Sequence, residues 1–400
     1  MTPGILHTYH PSRNLNLFEH TPYVLDKNPT GFSQAPKQPS HILLFIGGLF
    51  DNFNLPHYVS DLSSLFPISS TQHQPWRIMH VQLSSNGRSW GIFTIDRDIE
   101  EIAVAIDFIR TKLYTNRYVD IVLMGHSTGC QDIMRYLTAP NPLTSRSPKR
   151  PSVEGAILQA PVSDRDGVIR AIHDEDAPKA RKAYDAAMKI IDATAEKDRR
   201  DLILPMNLTK PLFGPAPINI ERFLSLVSPE SPDRPSIEDF FSHDLKDEAF
   251  SRTFGAIRRT GVLQVCESSR VKRLDNNDTG GTSSLLVLMS DSDEHVGPEV
   301  NQKELLERWR NALSKESGTH LDSLSTIILN AIHDVGGDDW PSQEARLVKL
   351  RKAVLLYMDK CVGDVSSGTW DLFEKDRQSV MKLKRDDGRD INAQVGVLKL

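Results

Sequence analysis

Residues 119–130 read Val-Asp-Ile-Val-Leu-Met-Gly-His-Ser-Thr-Gly-Cys and decide the fold of the chain. A short apolar run rich in β-branched residues leads into a Gly-x-Ser-x-Gly pentapeptide, and residues 131–138 carry apolar side chains at helical spacing. A strand that turns sharply into a helix is the context in which this pentapeptide forms a nucleophile elbow. We therefore predict that Ser127 is a nucleophile. A strand-to-helix turn without chemistry is the alternative.

The segments around the elbow alternate between strand and helix patterns. Apolar runs predict strands at 42–46, 77–83, 119–124, 153–158, 284–289 and 325–329. Spacing of 3.6 residues predicts helices at 56–65, 99–113, 131–138, 301–313 and 343–358. Weak alternation over residues 4–25 is compatible with a hairpin. Alternating strands and helices predict an α/β fold with a doubly wound, mainly parallel sheet.

This rhythm is interrupted between residues 164 and 279. The segment begins with a charged helical stretch at 174–201 and contains six phenylalanines between 213 and 254, too many aromatic residues for a solvated linker. We predict a hydrolase-like core formed by 1–163 and 280–362, a helical cap over 164–279, and a charged C-terminal extension at 363–400.

A serine nucleophile needs a base to accept its proton and an acid to orient that base. In α/β-hydrolases these residues follow strands in the order Ser, Asp or Glu, His. His333 lies four residues past the last predicted strand and is the candidate base. Asp293 is the candidate acid because its turn, Ser-Asp-Glu-His-Val-Gly-Pro, resembles the acid loop of that superfamily. Asp291 is its main rival, and Glu294 is a further one.

The oxyanion of such a reaction requires two backbone N–H donors. The residue after the nucleophile, Thr128, is expected to supply one of them. The second donor is expected in Gly47-Gly48-Leu49, directly after the strand at 42–46, at Leu49 or one position earlier at Gly48. An ordinary turn between strand and helix is the alternative interpretation of these glycines.

Composition limits the partners and the compartment. A net charge of −5 and a pI near 6.2 give no reason to expect nucleic acid or an anionic membrane as a partner. The first residues lack a secretory signal pattern, and no apolar run has the length of a membrane helix. Three widely spaced cysteines indicate neither a metal cluster nor a disulfide framework. We expect a cytoplasmic protein with a small-molecule substrate and no metal or organic cofactor, and the sequence does not predict its oligomeric state.

Several motifs together resemble a fungal and plant α/β-hydrolase family long described as a domain of unknown function. They include the glycine loop at 47–49, the loop from 83 to 91, the elbow, Gln-Ala-Pro-Val-Ser-Asp-Arg at 159–165, Arg-Phe-Leu-Ser-Leu at 222–226, Asp-Phe-Phe-Ser-His-Asp-Leu at 239–245, and the acid loop at 290–296. The resemblance extends from about residue 40 to 360. It implies an α/β-hydrolase fold.

Fungal members of that family include intracellular siderophore esterases, which cleave the ester bonds of fusarinine-type hydroxamate siderophores to release iron. The resemblance therefore implies a serine esterase that forms an acyl-enzyme. An esterase or lactonase for another metabolite and a catalytically inactive binding protein are the alternatives. Arg88 and Trp90 are candidates for lining the substrate pocket, although an aromatic residue after a strand is as often part of a core.

Overall fold

The computed structural model describes residues 4–20, 41–53, 56–63, 76–115, 118–264, 283–314, 319–336 and 340–362. Nine strands form one sheet: β1 (Gly4–His10), β2 (Leu15–His20), β3 (His41–Ile46), β4 (Trp76–Val81), β5 (Asp120–His126), β6 (Gly155–Gln159), β7 (Ser283–Ser290), β8 (Thr319–Leu321) and β9 (Thr326–Ile328). Their order is β1-β2-β4-β3-β5-β6-β7-β8, and β9 also pairs with β7. β1 and β2 join antiparallel, whereas the strands from β4 onward are parallel.

In the ranges given above, ten α-helices connect and cover these strands. They are α1 (Tyr58–Ser63), α2 (Ile95–Phe108), α3 (Gly129–Thr138), α4 (Asp164–His173), α5 (Pro178–Ala193), α6 (Met206–Phe213), α7 (Ile220–Val227), α8 (Asp247–Thr260), α9 (Gln302–Ser314) and α10 (Trp340–Cys361). α2 continues as a π-helical turn over Ile109–Leu113. Within the described residues, no helix is both long and apolar enough to cross a lipid bilayer.

The predicted parallel sheet is confirmed, and the six predicted strands lie within two residues of their expected ends. The helix expected at 99–113 begins four residues earlier, because the Thr94 side chain caps it by accepting a hydrogen bond from the Arg97 N–H. The helical stretch expected at 174–201 was wrong in extent, since α5 ends at Ala193 and only a short 3₁₀ turn, Glu196–Asp198, follows. β8, which is only three residues long, was not predicted.

The sheet is buried on both faces, as the continuous apolar runs indicate. Side chains of β3 alternate between two cores: Ile42 and Leu44 pack with α2, α3, α8 and α9 in the first core, and Leu43 and Phe45 pack with α1 and α10 in the second. This alternation fixes the register of the strand, because a slip of one residue would exchange the two faces.

A third core lies outside the sheet layers. It is built mainly from α4 to α7 and includes Phe223 and Ile191, and it also takes in Trp90 and Leu49 from the loops after β4 and β3. α8 belongs elsewhere: its Phe250 and Phe254 pack in the first core, against Trp309 of α9. The predicted division into core and cap stays a prediction, and the predicted extension at 363–400 lies outside the described residues.

Candidate active site

The elbow forms where β5 meets α3. Ser127 lies between them with a φ of 56°, a left-handed backbone conformation that is strained for serine. Its N–H donates to the carbonyl of Gln159 at 3.1 Å, and its own carbonyl accepts the Cys130 N–H at 2.9 Å. A Cβ at Gly129 would come within 2.4 Å of the Ile46 carbonyl oxygen. Only glycine therefore allows the helix to start this close to the neighbouring strand.

The predicted acid and base are in contact. His333 Nδ1 lies 2.8 Å from Asp293 Oδ2, and both side chains are buried. The other oxygen, Asp293 Oδ1, accepts the His295 N–H at 2.9 Å. Because Nδ1 donates to the carboxylate, the neutral ring keeps Nε2 available as a proton acceptor.

The two rival acids have other hydrogen bonds. Asp291 Oδ2 accepts the Asn330 N–H at 3.3 Å, and Glu294 Oε2 accepts the backbone N–H of His333 at 3.0 Å. Both therefore hold the backbone of the loop that carries the base. Of these three acids, Asp293 contacts the imidazole of His333.

The glycine loop after β3 lies against Ser127. A Cβ at Gly48 would come within 2.6 Å of the Ser127 Cβ and 3.2 Å of its Oγ. The Gly48 N–H already donates to Asp51 Oδ2 at 2.6 Å. Within the described part of the chain, the backbone N–H groups of Leu49 and Thr128 donate no hydrogen bond. This difference favours Leu49 over Gly48 as the second oxyanion donor.

Three residues that were not predicted as site residues form hydrogen bonds around the candidate site: Gln159, Tyr58 and Asp51. Gln159, the last residue of β6, accepts the Ser127 N–H with its carbonyl, and its Nε2 lies 3.4 Å from the His333 carbonyl. Tyr58 donates to Gln159 Oε1 at 2.8 Å, and Asp51 contacts both Gly48 and His126. Gln159 lies in the 159–165 motif that contributes to the family resemblance, Asp51 follows the glycine loop and Tyr58 begins α1, but these positions alone did not assign the three residues to the site.

Two further histidines flank the base. The ring centroids of His126 and His295 lie 4.8 Å and 4.5 Å from that of His333. Burial, and then the neighbouring His333, lowers the pKa of His295. His126 thus packs beside the candidate base. Next to the nucleophile, burial raises the pKa of the Cys130 thiol well above its ordinary value, so this side chain does not compete as a thiolate.

The two predicted pocket residues differ in their surroundings. Trp90 is 2% exposed, and its ring packs between Phe50 and Phe213, with centroid distances of 5.7 and 6.0 Å. Arg88 is exposed, and it forms no hydrogen bond or ion pair within the described ranges. Trp90 thus joins the glycine loop to the third core, and contact of either residue with a substrate stays a prediction.

Comparison with known proteins identifies the relatives of this chain. Residues 1–358 match the family described as "Protein of unknown function (DUF1749)". "Fusarinine C esterase sidJ" of Aspergillus fumigatus is 35% identical over 360 residues, which cover 84% of this chain and 91% of that protein. "Esterase AN6793" of Emericella nidulans is 32% identical over 390 residues, 91% of this chain and 94% of that protein.

A solved structure agrees with this grouping. "Siderophore hydrolase EstB from Aspergillus fumigatus" superposes with a TM-score of 0.70 at 34% identity, over 90% of this chain and 98% of that one. The predicted resemblance and the predicted fold class are both confirmed. The chain belongs to the DUF1749 family and has the α/β-hydrolase fold.

Proposed function

We propose that the chain is a serine esterase in which Ser127, His333 and Asp293 form the catalytic triad. The main observation in support of this proposal is the buried hydrogen bond between His333 and Asp293. Both residues follow strands of the sheet, as does Ser127 in the elbow. Gln159 supports this grouping, because its backbone holds Ser127 and its side chain lies beside the His333 carbonyl.

The reaction follows from these roles. His333 Nε2 takes the hydroxyl proton of Ser127 as the Ser127 Oγ attacks the ester carbonyl. The N–H groups of Leu49 and Thr128 stabilise the oxyanion of the tetrahedral intermediate. His333 then protonates the leaving alcohol, and an acyl-enzyme remains on Ser127. A water molecule, deprotonated by His333, attacks the acyl group. The bond between the acyl carbon and Ser127 Oγ then breaks, His333 returns the proton to Oγ, and the acid is released.

Labelling with a fluorophosphonate probe tests the nucleophile. The wild-type protein should react, and Ser127→Ala should lose both the label and ester hydrolysis. Ser314→Ala, at the end of α9, is the matched control and should label normally, because its hydroxyl donates a local hydrogen bond to the Asn311 carbonyl oxygen at 2.9 Å. Label that persists in Ser127→Ala would show that another residue is the nucleophile. A folded wild-type protein that never labels would favour a catalytically inactive binding protein.

We further propose that the substrate is a fusarinine-type hydroxamate siderophore and that its hydrolysis releases iron in the cytoplasm. The names of the relatives from Aspergillus fumigatus support this substrate class. The helices of the third core, which reach Leu49 and Trp90, are proposed to form the cap over the site.

A panel of esters tests the substrate. Iron-bound and iron-free fusarinine-type triesters should be hydrolysed with a higher kcat/KM than simple acyl esters and lactones of similar size. Efficient cleavage of the simple esters or lactones without turnover of the triesters would assign the enzyme to another metabolite.

A further inference from the structure

A second carboxylate–imidazole pair lies beneath the candidate triad. Asp51 Oδ2 is 3.1 Å from His126 Nδ1, and the side chains are 13% and 5% exposed. Burial acts to raise the pKa of Asp51, but the hydrogen bonds from His126 and Gly48 hold it below its ordinary value. The carboxylate is therefore ionised and needs both donors.

One arm of this pair reaches the glycine loop. The same oxygen of Asp51 accepts the Gly48 N–H at 2.6 Å, and the Asp51 N–H returns to the Gly48 carbonyl at 3.1 Å. The side chain folds back under the loop because residue 47 is glycine: a Cβ there would come within 2.7 Å of the Asp51 Cβ. This closed turn fixes the peptide that precedes the Leu49 N–H.

The other arm reaches the loop that carries the base. His126 Nε2 lies 3.4 Å from the His333 carbonyl oxygen, and the two rings are 4.8 Å apart. His126 also directly precedes Ser127 in the chain. His126 thus borders Ser127 and the loop that carries His333, and through Asp51 it is linked to the glycine loop.

We propose that Asp51 and His126 are positioning residues for the reaction of Ser127: the pair sets the Leu49 N–H and the His333 imidazole relative to the nucleophile. This inference rests on the proposed esterase function. Neither residue touches the reacting atoms, so removing the pair should weaken interactions made in the transition state rather than those made with bound substrate.

Kinetics of five variants test the contacts of the pair with the glycine loop and with the loop that carries His333. Asp51→Ala and His126→Phe should lower kcat roughly 10- to 100-fold with KM within about threefold. His126→Asn places an amide nitrogen near the position of Nδ1 and keeps the contact with Asp51. His126→Gln places an amide nitrogen near the position of Nε2 and keeps the contact with the His333 carbonyl. Each should recover part of the loss. The double variant Asp51→Ala/His126→Phe should be no worse than the poorer single variant, because the two residues act as one unit.

The matched control is the pair His41–Asp120, with 2.7 Å between Nδ1 and Oδ2, at the opposite ends of β3 and β5. His41→Phe removes a similar pair from the same two strands and should leave kcat and KM unchanged. Active-site titration with the fluorophosphonate corrects every rate for the fraction of folded enzyme. Equal losses in His41→Phe and His126→Phe, or a loss that falls on KM, would overturn the inference.

A readout without turnover separates the inference from the proposed function. Hydrogen exchange at the Gly48 amide should be slow in the wild type and at least tenfold faster in Asp51→Ala, with no change in His41→Phe. If the wild-type protein hydrolyses no ester, the proposed function fails while this exchange result still tests the pair. Fast exchange at Gly48 in the wild type would overturn the pair itself.

Discussion

Gly48 lies so close to Ser127 that an added methyl group would touch the nucleophile. The Cβ of Gly48→Ala would meet the Ser127 Cβ at 2.6 Å, closer than side-chain carbons approach without movement. We expect this variant to lose at least 100-fold in kcat/KM for any ester and roughly 1–3 kcal/mol in the free energy of unfolding. Steady-state kinetics and urea denaturation measure the two effects.

Gly167 provides the control for this substitution. It lies in the α4 helix, and a Cβ built on it meets no atom within 4 Å. Gly167→Ala should keep full activity and gain about 0.5–1 kcal/mol of stability through helix propensity. Normal turnover in Gly48→Ala would show that the glycine loop moves away from the nucleophile.

At the scale of single residues, the contact between Asp293 and His333 agrees with the chain order, while the catalytic roles of Ser127, Asp293 and His333 stay predictions. Ser127, Asp293 and His333 each follow a strand, and parallel strands bring such positions to one edge. The choice between Gly48 and Leu49 could not be made from the sequence, because it depends on where the Asp51 side chain folds. The roles of Asp291 and Glu294 likewise depend on which backbone N–H each carboxylate reaches.

Helix α7 is anchored by one buried cation. The Arg222 guanidinium pairs with Glu238, and its Nε donates to the Trp90 carbonyl at 3.0 Å, while both charged side chains are almost completely buried. Removing one partner of a buried pair leaves an uncompensated charge. We expect Arg222→Met to lower the free energy of unfolding by about 3–5 kcal/mol, measured by chemical denaturation.

An exposed pair nearby gives the comparison. Arg234 and Glu230 are 2.9 Å apart, but their side chains are 80% and 58% exposed. Because water solvates both charges, Arg234→Met should change stability by less than about 0.5 kcal/mol. Similar effects of the two substitutions would mean that Arg222 is not the anchor of α7.

Asp98 of α2 makes the same region sensitive to pH. Burial, opposed in part by a hydrogen bond from Ser85, raises the pKa of this carboxyl to about 7. Between pH 4 and pH 7 the unfolded chain has lost this proton and the folded chain retains it. Stability therefore falls as the pH rises through this window, and the loss is complete above pH 7.

Asp98→Asn removes this titration. The free energy of unfolding of the variant minus that of the wild type should increase by roughly 2–3 kcal/mol as the pH rises from 5 to 8. Denaturation curves of both proteins at several pH values measure the difference. A difference that stays constant with pH would show that Asp98 titrates as it does in the unfolded chain.

The elements themselves were predictable where periodicity was strong. Strands such as β3 and β7 have uninterrupted apolar runs, and their positions followed from the sequence. In this part of the chain α5 was predicted with the wrong ends, and α4, α6 and α7 were not assigned ranges, because charged residues and prolines interrupt the apolar pattern. Trp90 shows the same limit: its burial against Phe50 and Phe213 depends on tertiary packing that the sequence does not reveal, and its contact with a substrate stays a prediction.

For the whole molecule, the alternation of strands and helices was enough to predict the sheet. The three separate cores were not predictable, since they result from contacts between segments distant in the chain. α8 illustrates this point, because the helix before it, α7, packs in the third core while the phenylalanines of α8 pack in the first.

Separate cores imply separate opening reactions. Amide hydrogen exchange should reveal α4 to α7 as one unit that opens with a lower free energy than global unfolding, whereas β3, β5 and β6 should exchange only by global unfolding. A single exchange free energy across the whole chain would contradict this division.

The membership of Leu49 in the third core gives this opening a particular outcome. When that unit opens, the residue proposed to bind the oxyanion loses its packing at the same moment. The molecule would then sample short-lived states in which the nucleophile persists without its oxyanion site. Small molecules that select such states would inhibit without resembling any substrate, and they would bind faster as the unit is made less stable.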